Sequence, residues 1–195
     1  MLYDKSIDIS KPFSYIYFTE HFTEIMKKTC CSCYSDTVIF CIGTDRSTGD
    51  CLGPLVGHKL KDMQIENVHI FGSLDEPVHA KNLSTYLYKL RDFKNPFVIA
   101  IDACLGKVDR IGYINIKEGP LYPGAGLNKN LPSVGNISIV NVSGFMEVMV
   151  LQNTRLSLVM NMANIIAGGI RHNLWKKYKS IDSLQSDTIS KSIYY

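Results

Sequence analysis

The sequence predicts an α/β fold of three layers, with a mainly parallel central sheet and helices on both faces. Two observations carry that prediction. The first is a pair of short, unbroken apolar runs, Val38-Ile39-Phe40-Cys41-Ile42 and Phe97-Val98-Ile99-Ala100-Ile101. A run of that length without alternation reads as a strand covered on both faces, as parallel strands are. The second is the order strand, helix, strand, helix, strand across residues 37–101. It implies right-handed crossovers that place helices on the two faces of one sheet.

Each element has its own warrant. Residues 1–36 read as an N-terminal extension, with a short helix over residues 19–28 that gathers Phe22, Ile25 and Met26 on one side. A single domain is expected over residues 37–176. After the first strand, Leu52, Leu55, Val56, Leu60 and Met63 fall at helical spacing, and only Lys59 is polar on that face. Pro54 is tolerated in the first turn of that helix. A second strand is expected over residues 68–74. A helix over residues 80–91 follows, with Leu83, Tyr86, Leu87 and Leu90 on one side, and Asn95-Pro96 breaks the chain before the third strand.

Residues 111–117 alternate as a strand. Residues 119–132 hold three prolines and three glycines and so form a loop. Residues 136–142 alternate again. A long helical stretch is expected to begin at Gly144, interrupted near Gln152-Asn153. Its inner stripe is Leu156, Val159, Met160, Ala163, Ile166, Ala167 and Ile170. Residues 177–195 form a polar, loosely ordered C-terminal tail.

Composition narrows the function. The chain has 195 residues, 46% hydrophobic and 20% charged, which marks a globular protein. A net charge of +3 and the lack of a basic, aromatic-studded stripe argue against a nucleic-acid partner. No apolar run reaches the roughly 20 residues that span a bilayer, so no membrane partner is expected. The first residues lack an apolar signal core, and the expected compartment is the cytoplasm. Cys41, Cys51 and Cys104 fit as small apolar residues of the core. Cys30, Cys31 and Cys33 cluster, but no second Cys/His pair stands at zinc-like spacing.

Two aspartates stand out. Asp50 closes the turn Gly43-Thr44-Asp45-Arg46-Ser47-Thr48-Gly49 after the first strand, and Asp102 follows the second apolar run directly. Ligands of open parallel sheets bind outside the carboxyl ends of the strands, so one crevice is expected to hold both acids. Asp50 also suits a helix N-cap, though Gly53 three residues on rules out a capping box. Asp102, next to five apolar residues, must be partly desolvated, and it needs donors or a role. If the two face each other, one pKa rises and the pair shares a proton. One carboxylate then activates water while the other protonates a leaving group.

The segment Ser73-Leu74-Asp75-Glu76-Pro77-Val78-His79 is expected to emerge at the same edge. His79 serves there as a base, a metal ligand or a plain helix-start histidine. Candidate substrate-binding residues are Asp45, Arg46, Glu76, His79, Asn128 and Lys129. Arg46 suits a carboxylate or carbonyl. Asn128 and Lys129 lie in Gly124-Ala125-Gly126-Leu127-Asn128-Lys129-Asn130, read as a loop that closes over a bound chain.

Several of these motifs resemble, in the same order, those of the YyaC-type spore protease family. They are residues 42–57, 74–83, 100–106, 123–132 and 141–147. That family is similar to the germination protease of bacterial spores and to the hydrogenase maturation endopeptidases. The resemblance implies their α/β fold and a role as a sporulation-associated peptidase of the cytoplasm, in the sporulating cell or forespore. In the germination protease, two aspartates matching Asp50 and Asp102 are the implied catalytic pair, and small acid-soluble spore proteins are the substrate. In the maturation peptidases, acids at these positions and a downstream histidine bind a metal. Here that third position falls near Asn141-Val142-Ser143-Gly144, without a histidine. No cofactor is required by this reading, and Asp50, Asp102 and His79 are the candidate ligands if a divalent metal takes part. The expected partner is a protein or peptide substrate. A binding module without turnover, a metal-dependent peptidase and a hydrolase of small amides or esters remain the alternatives.

Overall fold

The structure, a computed structural model, describes residues 2–124, 131–145 and 154–192. Ten elements follow in chain order: β1 (Asp4–Asp8), α1 (Ser14–Thr29), β2 (Asp36–Cys41), α2 (Leu52–Leu60), β3 (Val68–Phe71), α3 (Leu83–Lys89), β4 (Pro96–Gly106), β5 (Tyr113–Glu118), β6 (Ile137–Phe145) and α4 (Leu156–Ser192). The strands form one six-stranded sheet in the order β1-β5-β6-β4-β2-β3. The four strands β6, β4, β2 and β3 run parallel, and β5 and β1 add an antiparallel margin.

Alternation along the parallel strands sends side chains to two cores. Ile39, Cys41, Ile99, Ile101, Ile137 and Ile139 face the helices α1, α2 and α4. Val38, Phe40, Val98 and Ala100 face Val78 and the start of α3 at Leu83. Three layers result, as the apolar runs predict. Among the described residues no helix is long and apolar enough to cross a membrane.

Several boundaries differ from expectation. Residues 1–36, read as an extension, supply the edge strand β1 and the helix α1. Phe18, Phe22 and Ile25 of α1 are fully buried against the sheet and α4. The expected second strand stops at Phe71 because Gly72 turns with φ of 92°. Strand β4 runs on to Gly106, so Asp102 stands within it rather than at its end. Strand β6 likewise continues to Phe145, and Gly144, expected to open a helix, pairs with Leu105 instead. Helix α4 opens at Leu156, which is exposed, while Met162, Ile165 and Leu174 join the buried stripe. The C-terminal tail continues α4 to Ser192. The expected interruption near Gln152-Asn153 lies outside the described residues. Cys31 and Cys33 are joined by a disulfide, which the sequence did not suggest.

Close backbone approach sets the edge that matters for function. A Cβ on Gly53, in the first turn of α2, would lie 2.0 Å from the carbonyl oxygen of Ile42. One on Gly57 would lie 1.8 Å from that of Gly72. The glycines of α2 thus let the helix rest on the ends of β2 and β3 at a distance no side chain allows.

Candidate active site

A cavity of about 340 Å³ opens where β2 and β4 part. Pairing between these strands ends at Cys41 and Ile101, so Asp102 is the first residue of β4 beyond it. Asp50 arrives from the other side, in a short 3-10 turn over Gly49–Cys51 that leads into α2. Both acids line the cavity, together with Thr44, Arg46, His79 and Lys81.

The turn that carries Asp50 is folded on itself. Gly43, with φ of 141°, brings the backbone against residue 50, and a Cβ there would lie 2.0 Å from the Asp50 carbonyl oxygen. Thr44 donates its N–H to the Asp50 carboxylate at 2.9 Å. The cap position of α2 is Cys51, with no side-chain cap bond. The carboxylate of Asp50 is therefore turned to the loop and cavity rather than spent on capping the helix.

His79 is delivered by the segment after β3. Ile42 and Val78 form a parallel bridge, and Gly43 donates its N–H to Val78 at 2.8 Å. The next residue, His79, is then held at the cavity, and its N–H binds Asn82 Oδ1 at 2.8 Å.

Asp102 is nearly sealed, with 8% of its surface exposed. Burial first, then the negative charge of Asp50, push its carboxyl well above the usual carboxylate range, and the N–H of Ala103 offsets part of this. The thiols nearby are held in the neutral form. Burial and Asp102 push Cys104 up to about 11, and burial, Asp45 and Asp50 raise Cys51. A thiolate nucleophile is thus disfavoured at the site.

Other candidates stand elsewhere. Asp45 is exposed and absent from the cavity lining, and among the described residues it forms no ion pair with Arg46. Glu76 is also exposed and lines a separate hollow beside β3. Asn128 and Lys129 lie outside the described residues. Lys81, two positions after His79, lines the cavity although residue-by-residue reading passed over it. The signal was its place in the motif shared with the family.

The metal implied by the maturation peptidases can be tested on the donors. Among the described residues no group of three His, Cys, Asp and Glu stands where it could hold a metal ion. Val140 pairs with Asp102, so the next residue, Asn141, points to the opposite face of the sheet. It is fully buried there and directs its Nδ2 at Met162 Sδ of α4, 3.4 Å away. No step below runs through a metal ion.

The chain is 60% identical over 137 residues to the protein YyaC of Bacillus subtilis (strain 168), described as uncharacterized. That match covers 68% of this chain and 67% of YyaC. It is also similar, at 19% identity and a TM-score of 0.44, to a solved structure of the [NiFe] hydrogenase maturation protease HycI from Thermococcus kodakarensis. That match covers 77% of this chain and 98% of that one. The profile of a family described as "Protein of unknown function (DUF1256)" matches residues 14–169, from the first residue of α1 into α4, and the chain belongs to that family.

Proposed function

We propose that the protein is an endopeptidase in which Asp50 acts as base and Asp102 as acid on a water molecule and a peptide bond. One observation carries this reading. Two carboxyl groups, one from the turn before α2 and one from β4, line a single cavity, and the charge of one adds to burial in raising the pKa of the other. Pairs of titratable groups driven apart in this way mark acid and base assignments.

In the proposed reaction the Asp50 carboxylate takes a proton from water as the water oxygen attacks the peptide carbonyl. Asp102 gives its proton to the amide nitrogen as the C–N bond breaks. The two acids then exchange protons with solvent and return to their starting states. Arg46, His79 and Lys81 line the same cavity and would hold the carbonyl or the flanking chain. A protein or peptide substrate and a sporulation-associated role in the cytoplasm belong to the proposal. Their support is the set of motifs shared with YyaC-type proteins.

The test is cleavage of a mixture of denatured proteins by the purified chain, read by mass spectrometry. Asp50→Asn and Asp102→Asn should each lower the rate about 10²–10⁴-fold, the usual worth of a positioned acid or base. Full activity in either variant overturns the assignment. Loss of activity to a chelator with rescue by a divalent ion would move it to a metal-dependent peptidase.

A further inference from the structure

We propose that Asn82 is a positioning residue for the cavity, which holds His79 at the cavity wall by tying residue 79 down through both its N–H and its carbonyl. The proposal rests on the peptidase reading for the part that His79 plays in cleavage. Strand β3 ends at Phe71 and α3 begins at Leu83. The chain between them lines the cavity with His79, Ala80 and Lys81. One anchor comes from the end of β2, where Ile42 bridges Val78 and Gly43 donates its N–H to the Val78 carbonyl oxygen.

Asn82 supplies the second anchor. Its Oδ1 accepts the N–H of His79 at 2.8 Å, and its Nδ2 donates to the carbonyl oxygen of Pro77 at 3.0 Å. Its backbone N–H donates to the carbonyl oxygen of His79 at 3.0 Å, and Leu83 donates to the same oxygen at 2.9 Å. Leu83 is fully buried in the core on that face of the sheet. Residue 79 is thus held between a strand end on one side and a core residue on the other, and close-packed cores yield little.

The residue type suits this task. The side chain must accept from one backbone group and donate to another, and a carboxamide offers both at a set spacing. An asparagine before a helix ordinarily caps it. Here the cap position of α3 has no side-chain cap bond. The carboxamide is turned back to the segment that carries His79, much as the Asp50 carboxylate is turned to its own loop.

The test couples a double-variant cycle to a spectroscopic readout on the full chain. In the cleavage assay, Asn82→Ala should lower kcat/KM about 10–10²-fold, the scale of a misplacement near 1 Å. In a His79→Ala background the same change should cost under about twofold, because no imidazole is left to misplace. Asn82→Asp keeps the acceptor for the His79 N–H and should lie nearer the parent than Asn82→Ala does. An equal loss in both backgrounds overturns the proposal, since Asn82 would then serve the fold and not His79. The second readout is independent of cleavage. The imidazole Hε1 resonance of His79, assigned through His79→Ala, should move on Asp50→Asn because both side chains line the cavity. In Asn82→Ala that response should vanish, and an undiminished response overturns the proposal. Asn82→Leu, close in shape but without the polar atoms, repeats both measurements if the alanine variant does not fold. A parent chain that cuts nothing removes the peptidase reading, and the resonance alone then decides for Asn82.

Discussion

The two edges of the parallel sheet treat the same side chain in opposite ways. At the amino edge, Asp36 opens β2 and accepts the Ser35 hydroxyl at 2.6 Å and His69 Nε2 at 2.9 Å. Those two bonds hold its carboxyl below the usual range. At the carboxyl edge, Asp102 has one N–H partner from Ala103, a nearly sealed environment and a second carboxylate in the same cavity. Its carboxyl is pushed the other way. An acid surrounded by donors is favoured as the anion, whereas an acid left with burial and a like charge is disfavoured as one.

The largest effect that sharpens this contrast is expected from Asp102→Asn. An unfolded carboxyl titrates near the ordinary 3.8, and the folded one titrates higher. Between those two values the folded chain keeps a proton that the unfolded chain has lost. The favourable contribution of the protonated group is therefore complete below the ordinary value and disappears as pH rises through the folded pKa. At neutral pH the carboxyl is a cost to folding. The neutral amide should thus raise the melting temperature at pH 7, with the gain shrinking toward pH 3, while cleavage falls about 10²–10⁴-fold. A lower melting temperature at pH 7 would mean that Asp102 is held as a welcome anion, and the contrast between the edges would collapse.

The carboxyl edge was the more legible one. Unbroken apolar runs announce β2 and β4, and the rule that ligands sit beyond such strands assigns Asp50 and Asp102 to one crevice. What escaped detection was written in weaker terms. Strand β1 reads Asp4-Lys5-Ser6-Ile7-Asp8, and of these only Ile7 is buried, because a margin strand needs one inward side chain rather than a run. Helix α1 starts five residues before its expected start, at Ser14, with exposed Tyr15, Ile16 and Tyr17 that carry no amphipathic signal. Strands β4 and β6 extend one another past the apolar runs through mutual pairing, a long-range effect invisible to local pattern. Lys81 lines the cavity as well, and its only signal in the chain is its place two residues after His79 in the shared motif.

A substitution at Gly53 would break the same edge by packing rather than charge. In Gly53→Ala the new Cβ meets the backbone oxygen of Ile42, which has no rotamer to yield. Overpacking of this kind costs about 1–3 kcal/mol. Because α2 and the turn bearing Asp50 must move together, cleavage should drop along with the melting temperature. A fully stable and active variant would show that the close approach of helix and strand does not set the position of Asp50.

The smallest expected effect comes from the amino edge, and its sign is what matters. Asp36→Asn removes a partly exposed carboxylate that is favoured in the folded state by the Ser35 hydroxyl and His69. Its contribution is complete above the ordinary value of 3.8 and is lost as pH falls through the lower folded pKa. The variant should therefore be less stable than the parent by under about 1 kcal/mol at pH 7, as for other partly exposed hydrogen-bonded pairs. The deficit should close as the solution is acidified, and cleavage should be unchanged throughout. Urea midpoints at pH 7 and pH 3 measure it. Asp36→Asn and Asp102→Asn should then shift stability in opposite directions at neutral pH. Only the second should reach the chemistry, since Asp36 has its donors and Asp102 has a neighbour of its own sign.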